Sequence, residues 1–466
     1  MSTVERFDAA VIGAGPGGYV AAIRLAQNGK SVALIEKENL GGVCLNCGCI
    51  PTKTLISSSE VVSKIKKAES FGIQVKDFTI DFSKMKSRKD QVIEKIRKSL
   101  EGLLLANKIK IFRGKAEFES RNTLKVTGEN PTKIEAESII IATGSKPLDI
   151  PAFPCDHERI FNSTSILEQT KLPKSLVIVG GGYIGCEFAS LYRELGVQVT
   201  IVEALPMIIS AQGTTLSAAL TKRFSKIGIQ IETNVQVKKI DKHPQHLSVI
   251  LSDGRQIETE NVLVSIGRSI DTRDLKLENA GIGAGSKGEI SVNGKMETST
   301  KGIYAIGDVT MKAMLAHVAS HQALVAADNI LGQSALMHYH AVPAVIFTHP
   351  EIATVGYTQE QAKALGYNVK SAQFPLQALG KAQAMAETEG FAEIVFDTQY
   401  HQILGAQIFG SGASDLIGEM TLAIQNELTL ENITETIHAH PTLAESWLEA
   451  ALIGLNTPIH FPPKKS

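Results

Sequence analysis

The chain has little of several features that would mark a specialised class of protein. It has one tryptophan and five cysteines among 466 residues, and so few cysteines exclude a scaffold built from disulfides. Neither sign of charge is in excess, because the chain has 47 Lys and Arg and 48 Asp and Glu. This balance gives no support for a nucleic-acid or membrane-surface role. Apolar runs such as 176–179 and 139–142 fall far short of the ~20 residues that a membrane-spanning helix needs.

The beginning of the chain also lacks an apolar signal region, since residues 1–7 include Glu5 and lead directly into a strand-like segment. We therefore expect a cytoplasmic protein of bacterial type, with the mitochondrial matrix as the less favoured location. Hydrophobic residues make up 43% of the chain and charged residues 20%. These values are typical of globular proteins and exclude disordered and fibrous classes. The length predicts about three domains.

An internal repeat is the most informative feature of the sequence. An apolar segment at 9–12 precedes a glycine loop at 13–18, a helical stretch, a second apolar segment and Glu36. The same order returns later, with a glycine loop at 180–185 and a closing acid at Glu203. The interval from the first glycine to the acid is equal in both copies. A strand, a GxGxxG loop, a helix and an acid, found twice, predict two Rossmann-like dinucleotide-binding domains.

The remainder of the chain divides around this repeat. Further apolar segments end in glycine turns. Strand-like segments at 342–347, 391–397 and 403–409 are followed by helical stretches at 413–426 and 430–437. We predict an α/β fold with two dinucleotide-binding domains and an α+β C-terminal domain. The expected bounds are 1–148 for the first segment of the first domain, 149–270 for the second domain, 271–340 for the segment completing the first domain, and 341–466 for the C-terminal domain.

Each glycine loop fits a dinucleotide physically. Glycines allow a tight turn close to a pyrophosphate, and the following helix offers N–H groups to the phosphates. Glu36 and Glu203 would accept hydrogen bonds from a ribose diol. No basic residue directly follows Glu203 to bind a 2′-phosphate, so the second site favours NAD over NADP. A glycine turn used only for packing is the alternative for either loop alone. Two dinucleotide sites together suggest a flavoprotein that passes electrons between FAD and a nicotinamide.

Three of the five cysteines, Cys44, Cys47 and Cys49, fall within six residues. Pro51 predicts a helix that begins near Cys49, and a helix N-terminus with Lys53 one turn away would lower a thiol pKa. Cys44 and Cys49 beside a flavin could cycle between dithiol and disulfide. A metal site is an alternative, but no fourth ligand is near and we expect no metal; plain burial is another. The isolated Cys186 is expected to serve packing.

His440 and Glu445 form the second candidate constellation. Histidine suits proton exchange with a thiol near neutral pH, and a nearby carboxylate can hold its tautomer. From spacing alone a surface turn with two histidines is the simpler interpretation. The upstream cysteines favour the catalytic one, because thiol exchange needs a proton carrier. The basic stretch at 84–98 contains interleaved acids and is interpreted as the solvated face of a helix, with a basic patch as the alternative.

In its two glycine loops, its cysteine segment and its histidine segment, the chain resembles the pyridine nucleotide–disulfide oxidoreductases, and within them the dihydrolipoamide dehydrogenases. The resemblance extends over nearly the whole length of the chain. The cysteine segment at 41–53 is specific to the disulfide branch, and the ending at 440–445 is shared more widely within it. The resemblance implies bound FAD and NAD, a C-terminal dimerisation domain, and a homodimer in which the histidine reaches the other subunit's disulfide. Cys47, His321 and Gln322 depart from the family pattern.

The resemblance also implies a role for each matching position. Cys49 would be the thiol nearer the flavin and Cys44 the thiol that meets the substrate, with Lys53 and Glu187 as an ion pair beside the flavin. His440 would be the acid–base histidine and Glu445 its partner. The implied FAD contacts are Gly13, Gly15, Gly18, Glu36, Lys37, Gly42, Lys53, Ala116, Thr143, Gly144, Ser145, Asp308, Met314, Leu315, Ala316 and His317. The implied NAD contacts are Gly180, Gly182, Tyr183, Ile184, Gly185, Glu203, Val235 and Gly267.

The activity that the resemblance implies is the NAD⁺-linked oxidation of dihydrolipoyl groups. These would be carried by the lipoyl domain of an acyltransferase or an H-protein, in 2-oxo acid dehydrogenase or glycine cleavage complexes. Glutathione-type and mercuric reductases are the alternatives. Gly185 and Glu203 argue against the first, and the lack of any cysteine after Cys186 argues against the second. A purely structural role would not require the full set of catalytic positions. We expect neither a nucleic-acid nor a membrane partner.

Overall fold

In the computed structural model, which describes residues 4–128 and 130–462, the repeat in the sequence becomes two sheets. Four neighbouring strands have the same order in both, whereas the fifth strand comes from a later segment of the chain in the first sheet and from an earlier segment in the second. The strands are β1 (Val4–Ile12), β2 (Val32–Glu36), β3 (Lys110–Ser120), β4 (Thr123–Gly128), β5 (Thr132–Ile141), β6 (Lys146–Pro147), β7 (Ile160–Asn162), β8 (Ser175–Val179), β9 (Gln198–Val202), β10 (Gln230–Glu232), β11 (Val237–Lys242), β12 (Leu247–Leu251), β13 (Gln256–Thr259), β14 (Asn261–Val264), β15 (Arg268–Ser269), β16 (Ile303–Ala305), β17 (Ala344–Ile346), β18 (Glu351–Gly356), β19 (Val369–Pro375), β20 (Phe391–Asp397) and β21 (Ile403–Gly410).

The α-helices alternate with these strands in the first two thirds of the chain and follow them at its end. They are α1 (Pro16–Gln27), α2 (Gly42–Cys47), α3 (Cys49–Lys67), α4 (Phe82–Ala106), α5 (Tyr183–Glu194), α6 (Thr214–Lys226), α7 (Ala316–Ile330), α8 (Gln359–Ala364), α9 (Gly380–Met385), α10 (Ala413–Gln425), α11 (Leu430–Glu435) and α12 (Glu445–Gly454). None of the helices in the described part of the chain is long and apolar enough to cross a membrane.

The first sheet has β1 at its centre. Strand β1 pairs in parallel with β2 and β5, and β3 and β16 extend the sheet to the order β3-β2-β1-β5-β16. All five residues of β2 are buried, as expected for a parallel sheet covered on both faces. Beyond the parallel part, β3, β4 and β5 continue as an antiparallel meander.

The second sheet has β8 in the equivalent central position. Its order is β10-β9-β8-β14-β7, with every pair parallel, and an antiparallel meander of β11, β12 and β13 accompanies it. The units β1–α1–β2 and β8–α5–β9 therefore place their glycine loops at the same edge of equivalent sheets. This confirms the predicted pair of dinucleotide-binding folds. The predicted domain bounds stay a prediction.

The C-terminal part forms a five-stranded antiparallel sheet in the order β17-β18-β21-β20-β19. Strands β20 and β21 and helices α10 and α11 lie where the sequence predicts them, within a residue or two. Helix α12 was not predicted, and it carries Trp447, the single tryptophan, fully into the core of this part. The segment at 438–445 enters α12 at Glu445.

Helices α3 and α4 form a hairpin that carries the basic stretch at 84–98. Lys86 pairs with Asp90 and Glu168, at 2.8 and 2.9 Å. Lys89 departs from the expected solvated face, since its side chain is buried and its Nζ donates to Glu168 Oε1 at 2.9 Å and to the Leu167 carbonyl at 3.0 Å. These pairs join α4 to the segment just before the second sheet's central strand.

Candidate active site

Two consecutive helices bring the three clustered cysteines together. Helix α2 carries Cys44 and Cys47, and α3 begins at Cys49, as the sequence predicts. Gly41 and Gly42 lead into α2 with φ angles of 93° and 59°, a left-handed conformation that glycine adopts without strain. All three cysteines are free thiols.

The thiols of Cys44 and Cys49 are electrostatically unequal. A hydrogen bond from the Cys44 thiol stabilises the Cys49 thiolate and lowers the pKa of Cys49 to about 7, against the effect of burial, and the charge of Lys53 lowers it further. The same hydrogen bond, together with burial, raises the pKa of Cys44. Near neutral pH the negative charge therefore lies on Cys49 and the proton on Cys44.

An ion pair between α3 and α5 stands beside Cys49. Lys53 Nζ donates to both oxygens of Glu187, at 2.8 and 2.9 Å, and the Glu187 carboxylate is buried. The backbone N–H of Phe347 donates to the same carboxylate at 3.0 Å, and Lys53 Nζ lies 4.4 Å from the centre of the Phe347 ring. Contacts with α5 and with the segment at Phe347 thus fix the Lys53 side chain of α3 next to the thiolate.

Cys47 occupies a different environment from the other two thiols. Burial raises the pKa of Cys47, offset in part by a hydrogen bond with Thr164 and by the charge of Arg268. Lys53 and Glu187, which act on Cys49, are not among its main influences. The third thiol is therefore protonated near neutral pH and faces the segment before β8.

The first glycine loop and Glu36 meet as the sequence predicts. The Ala14 N–H donates to Glu36 Oε2 at 2.7 Å, and the Glu38 N–H donates to Oε1 at 2.8 Å. A Cβ on Gly18 would overlap the Gly13 carbonyl oxygen, so helix and strand pack too closely there for a larger residue. The loop also touches the cysteine segment, because a Cβ on Gly42 would clash with Gly15.

The turn after β5 carries Thr143, Gly144 and Ser145. Thr143 Oγ1 is buried and has no hydrogen-bond partner among the described residues. A buried hydroxyl of this kind is suited to a bound molecule, because an unpaired buried polar atom costs free energy. Together with the close-packed glycine loop and the Glu36 carboxylate, it makes the residues here a suitable set for the dinucleotide part of FAD.

Arg268 and Gln322 stabilise the residues around Asp308 by hydrogen bonds. Ser145 Oγ donates to Asp308, and Arg268 donates from Nε to Ser145 Oγ at 2.7 Å and from Nη2 to the Ser145 carbonyl at 2.8 Å. Gln322 is fully buried and accepts from the Gly307 N–H at 2.6 Å. No motif in the sequence indicated Arg268, and Gln322 was recognisable there only as a departure from the family pattern.

The other positions implied for FAD lie after β2, on β3 and at the start of α7. Lys37 is exposed beside Glu38, and Ala116 is buried on β3. Met314 and Leu315 precede α7, while Ala316 and His317 form its first turn, with His317 Nε2 2.8 Å from the Pro343 carbonyl. Their contact with FAD stays a prediction.

The second glycine loop opens onto a cavity of about 600 Å³. Of the eight positions implied for NAD, seven line it, and they are Gly180, Gly182, Tyr183, Ile184, Glu203, Val235 and Gly267. The eighth, Gly185, packs behind the loop, where a Cβ would overlap the Gly180 carbonyl oxygen. Glu203 accepts from the Gly181 N–H at 2.6 Å and from the Leu205 N–H at 2.8 Å, which repeats the arrangement at Glu36.

His440 and Glu445 form the predicted pair. His440 Nδ1 donates to Glu445 Oε1 at 2.8 Å, and the Thr442 N–H donates to Oε2 at 2.8 Å. Burial raises the pKa of Glu445, but these two hydrogen bonds lower it more, so the carboxylate stays ionised. The His440 side chain is 77% exposed, which leaves Nε2 free to meet a thiol.

Comparison with known proteins agrees with this geometry. The family model for pyridine nucleotide-disulphide oxidoreductases matches residues 7–323, and the model for the dimerisation domain of the same family matches residues 342–451. The chain belongs to this family. As a member it is an FAD- and NAD(H)-dependent oxidoreductase, and its dimerisation domain supports a homodimer, which confirms the predicted family, fold and cofactors.

Individual relatives cover the whole length of this family member. A dihydrolipoyl dehydrogenase of Chlamydia pneumoniae is 49% identical over 99% of both chains. One of Geobacillus stearothermophilus is 44% identical over 97% of both. The crystal structure of LpdA from Mycobacterium tuberculosis is 28% identical, covers 95% of this chain and 98% of its own, and has a TM-score of 0.91.

Proposed function

We propose that this oxidoreductase oxidises dihydrolipoyl groups and reduces NAD⁺, with Cys44 and Cys49 as its redox-active pair. The observation that carries the proposal is the placement of the two thiols, one on α2 and one at the start of α3, beside the Lys53–Glu187 ion pair. The raised pKa of Cys44 and the lowered pKa of Cys49 agree with it. A disulfide exchange needs one sulfur that leaves as a stable thiolate and one that meets the incoming thiol. The names of the relatives support the substrate class.

The residues of the chain account for the thiol chemistry. Nε2 of His440 takes a proton from a substrate thiol, and Glu445 stabilises the imidazolium that forms. The substrate thiolate attacks Cys44 of the oxidised pair, and Cys49 leaves as the thiolate that its lowered pKa favours. The second substrate thiol then attacks the substrate sulfur of the mixed disulfide, which closes the lipoyl ring and releases Cys44. Cys44 takes up one of the two protons lost by the substrate thiols, and the other leaves from His440 to solvent.

The cofactors complete the reaction. FAD, when bound, supplies the two-electron transfer between the enzyme dithiol and NAD⁺. Glu36 and the loop at 13–18 would hold its adenosine and pyrophosphate, and the cavity at 180–185 would hold NAD(H). Because the Glu203 carboxylate lines that cavity and would accept hydrogen bonds from a ribose diol, we expect selection of NAD over NADP.

The carrier of the substrate is part of the proposal. A dihydrolipoyl group on the lipoyl domain of an acyltransferase or of an H-protein fits the thiol chemistry, and 2-oxo acid dehydrogenase and glycine cleavage complexes carry such domains. The bacterial relatives fit the cytoplasm, which we propose as its location.

Replacement of the exchange thiol tests the assignment. Cys44→Ser should abolish the reduction of NAD⁺ by dihydrolipoamide while FAD stays bound, because a serine oxygen cannot form the disulfide. Cys47→Ser is the matched control and should keep turnover, since the Cys47 thiol lies against Thr164. Retained turnover in Cys44→Ser would refute the role. A wild-type enzyme that instead oxidised NADPH with glutathione disulfide would favour a glutathione-type reductase.

A further inference from the structure

The two histidines of the turn before α12 differ sharply in burial. The His440 side chain is 77% exposed, whereas the His438 side chain is 4% exposed. The Nε2 atom of His438 lies 2.9 Å from Glu419 Oε1 on α10, and its Nδ1 atom lies 3.0 Å from the Thr436 carbonyl oxygen. Both ring nitrogens of His438 therefore have a partner, and the ring is fixed in one orientation.

His438 anchors a short exposed segment that carries His440. Of residues 435–441, all of which the structure describes, His438 is the one that is not exposed, and the neighbouring Ile437 is 96% exposed. His440 follows His438 by two residues, so its Cα atom can lie no more than about 7 Å from the Cα atom of His438. The contact between His438 and Glu419 thus limits where His440 can stand.

The other end of the segment is held by α12. Thr442 Oγ1 donates to the Ala439 carbonyl at 2.7 Å, and the Thr442 backbone N–H donates to Glu445 Oε2 at 2.8 Å. Glu445 also accepts from His440 Nδ1 at 2.8 Å. His440 therefore lies between an anchor on α10 and an anchor on α12.

The two helices that carry these anchors are joined to each other. Trp447 Nε1 on α12 donates to the Leu416 carbonyl on α10 at 3.1 Å. Leu416 lies three residues before Glu419, and Trp447 lies two residues after Glu445. Both carboxylates consequently extend from one hydrogen-bonded pair of helices, which gives the segment between them a fixed frame.

We propose that His438 and Glu419 are positioning residues, which hold His440 in place for proton exchange with the substrate thiol. The inference rests on the proposed function, in which His440 takes the substrate proton. It adds a role for the second histidine of the turn and for a carboxylate of α10. Neither residue has a role among those that the resemblance implies.

A fixed position matters because proton transfer requires close approach. A base accepts a proton efficiently only within hydrogen-bond distance of it, about 2.6–3.2 Å, and a misplacement of about 1 Å can slow a reaction about 100-fold. Without the contact between His438 and Glu419, the segment would lose its anchor on α10 and keep the one on α12. His440 would retain Glu445 as its partner but would no longer have a fixed place.

Two activities of the FAD-loaded dimer test the proposal, because only one of them uses His440. Reduction of the enzyme by dihydrolipoamide needs a base for the substrate thiol, whereas oxidation of NADH by ferricyanide does not. Glu419→Leu and His438→Asn should each slow the first at least about tenfold and leave the second within about twofold of the wild-type rate. A parallel loss of both activities, or no loss of either, would overturn the proposal.

Conservative substitutions at the same two positions provide the rescue. Glu419→Gln keeps an oxygen that can accept from the ring, and His438→Gln places an amide N–H near the position of Nε2, so both should retain most of the dihydrolipoamide rate. The shorter side chain of His438→Asn cannot reach Glu419. If His438→Gln lost as much of this rate as His438→Asn, the contact with Glu419 would not be the cause and the proposal would be wrong.

A double substitution shows whether the effect passes through His440. In a chain that already carries His440→Ala, His438→Asn should cause no further loss of the dihydrolipoamide rate, because no ring is left to position. A second tenfold loss in that background would mean that His438 acts independently of His440 and would refute the inference. His401→Asn, which removes another histidine–glutamate contact of the C-terminal part, is the matched control and should change neither activity.

Hydrogen exchange separates the inference from the proposed function. If the wild-type enzyme did not oxidise dihydrolipoamide, the proposed function would be wrong, and mass spectrometry of a peptide covering residues 439–445 would still test the positioning. Its backbone amides should exchange faster in His438→Asn than in the wild type, and at the wild-type rate in His438→Gln. Equal exchange in all three proteins would overturn the positioning role.

Discussion

At the scale of single residues, the candidate active site consists of side chains whose pKa values are shifted by their neighbours. Cys44 and Cys49 are the same side chain, yet one hydrogen bond and one nearby cation place the charge on Cys49. Lys53 is itself fixed by Glu187, which also binds the Phe347 N–H. The asymmetry of the thiols therefore depends on a contact between residues 134 positions apart in the chain.

This asymmetry predicts a titration of the reduced enzyme. Thiolate absorbance in the ultraviolet should rise with pH around a midpoint of about 7, because the pKa of Cys49 is lowered to that value. Lys53→Met should move the midpoint to higher pH, since the thiolate loses a cationic neighbour. Lys66→Met is the control, because Lys66 lies at the far end of α3 and bonds the Glu194 carbonyl. A midpoint that stays in place in Lys53→Met would contradict the assignment.

Most of the site residues that could be predicted from the sequence belong to short motifs, in which the interacting residues are close together in the chain. Cys44 and Cys49 lie a few positions from Lys53, and His440 lies a few positions from Glu445. Glu187, which is distant from Lys53 in the chain, was implied only by the resemblance. The partnership of Arg268 with Ser145 joins residues 123 positions apart. It exists only because the turns after β5 and β14 come together in the folded chain. No local spacing could have indicated it.

At the scale of elements, the sequence predicts most where a pattern is local. The units β1–α1–β2 and β8–α5–β9 could be located because glycine loops and closing acids recur at fixed intervals. Helix α12 could not be located by periodicity, because none of its residues is exposed and eight of its ten residues are either buried or are partly buried apolar residues. A helix without a polar face has no amphipathic signature.

The glycine loops predict independent effects on the two cofactors. Gly18→Ala should prevent FAD binding or destabilise the first sheet, because the methyl group would overlap the Gly13 carbonyl oxygen. Gly185→Ala should weaken NAD⁺ binding while FAD stays bound, since its clash is with Gly180. Flavin absorbance and the KM for NAD⁺ measure the two effects.

A third glycine provides the control for these substitutions. Gly102 lies within α4 with nothing near its Cβ position, so Gly102→Ala should keep both cofactors and stabilise the protein by about 0.5–1 kcal/mol through helix propensity. Chemical denaturation measures this change. Loss of FAD in Gly185→Ala, or of NAD⁺ affinity alone in Gly18→Ala, would contradict the division of the two loops.

At the scale of the whole molecule, the parts of the candidate active site lie on separate regions of the chain. Cys44 and Cys49 stand between the two parallel sheets, whereas His440 projects from the C-terminal part, and the bond its ring makes within the described chain is to Glu445. Its 77% exposure in one chain suits a histidine that completes a site on a second copy. A dimerisation domain in the same region supplies that copy.

Mixed dimers test this shared site. Chains carrying Cys44→Ser and His440→Ala should each be inactive alone, but a purified dimer of one with the other should recover about half of the wild-type rate, because one of its two symmetric sites keeps Cys44 together with the partner's His440. The matched control pairs a wild-type chain with one that carries both substitutions. That dimer should be nearly inactive, since each site then lacks either its thiol or its histidine. If the control kept half the rate and the first dimer kept none, His440 would act within its own chain and the shared site would be wrong.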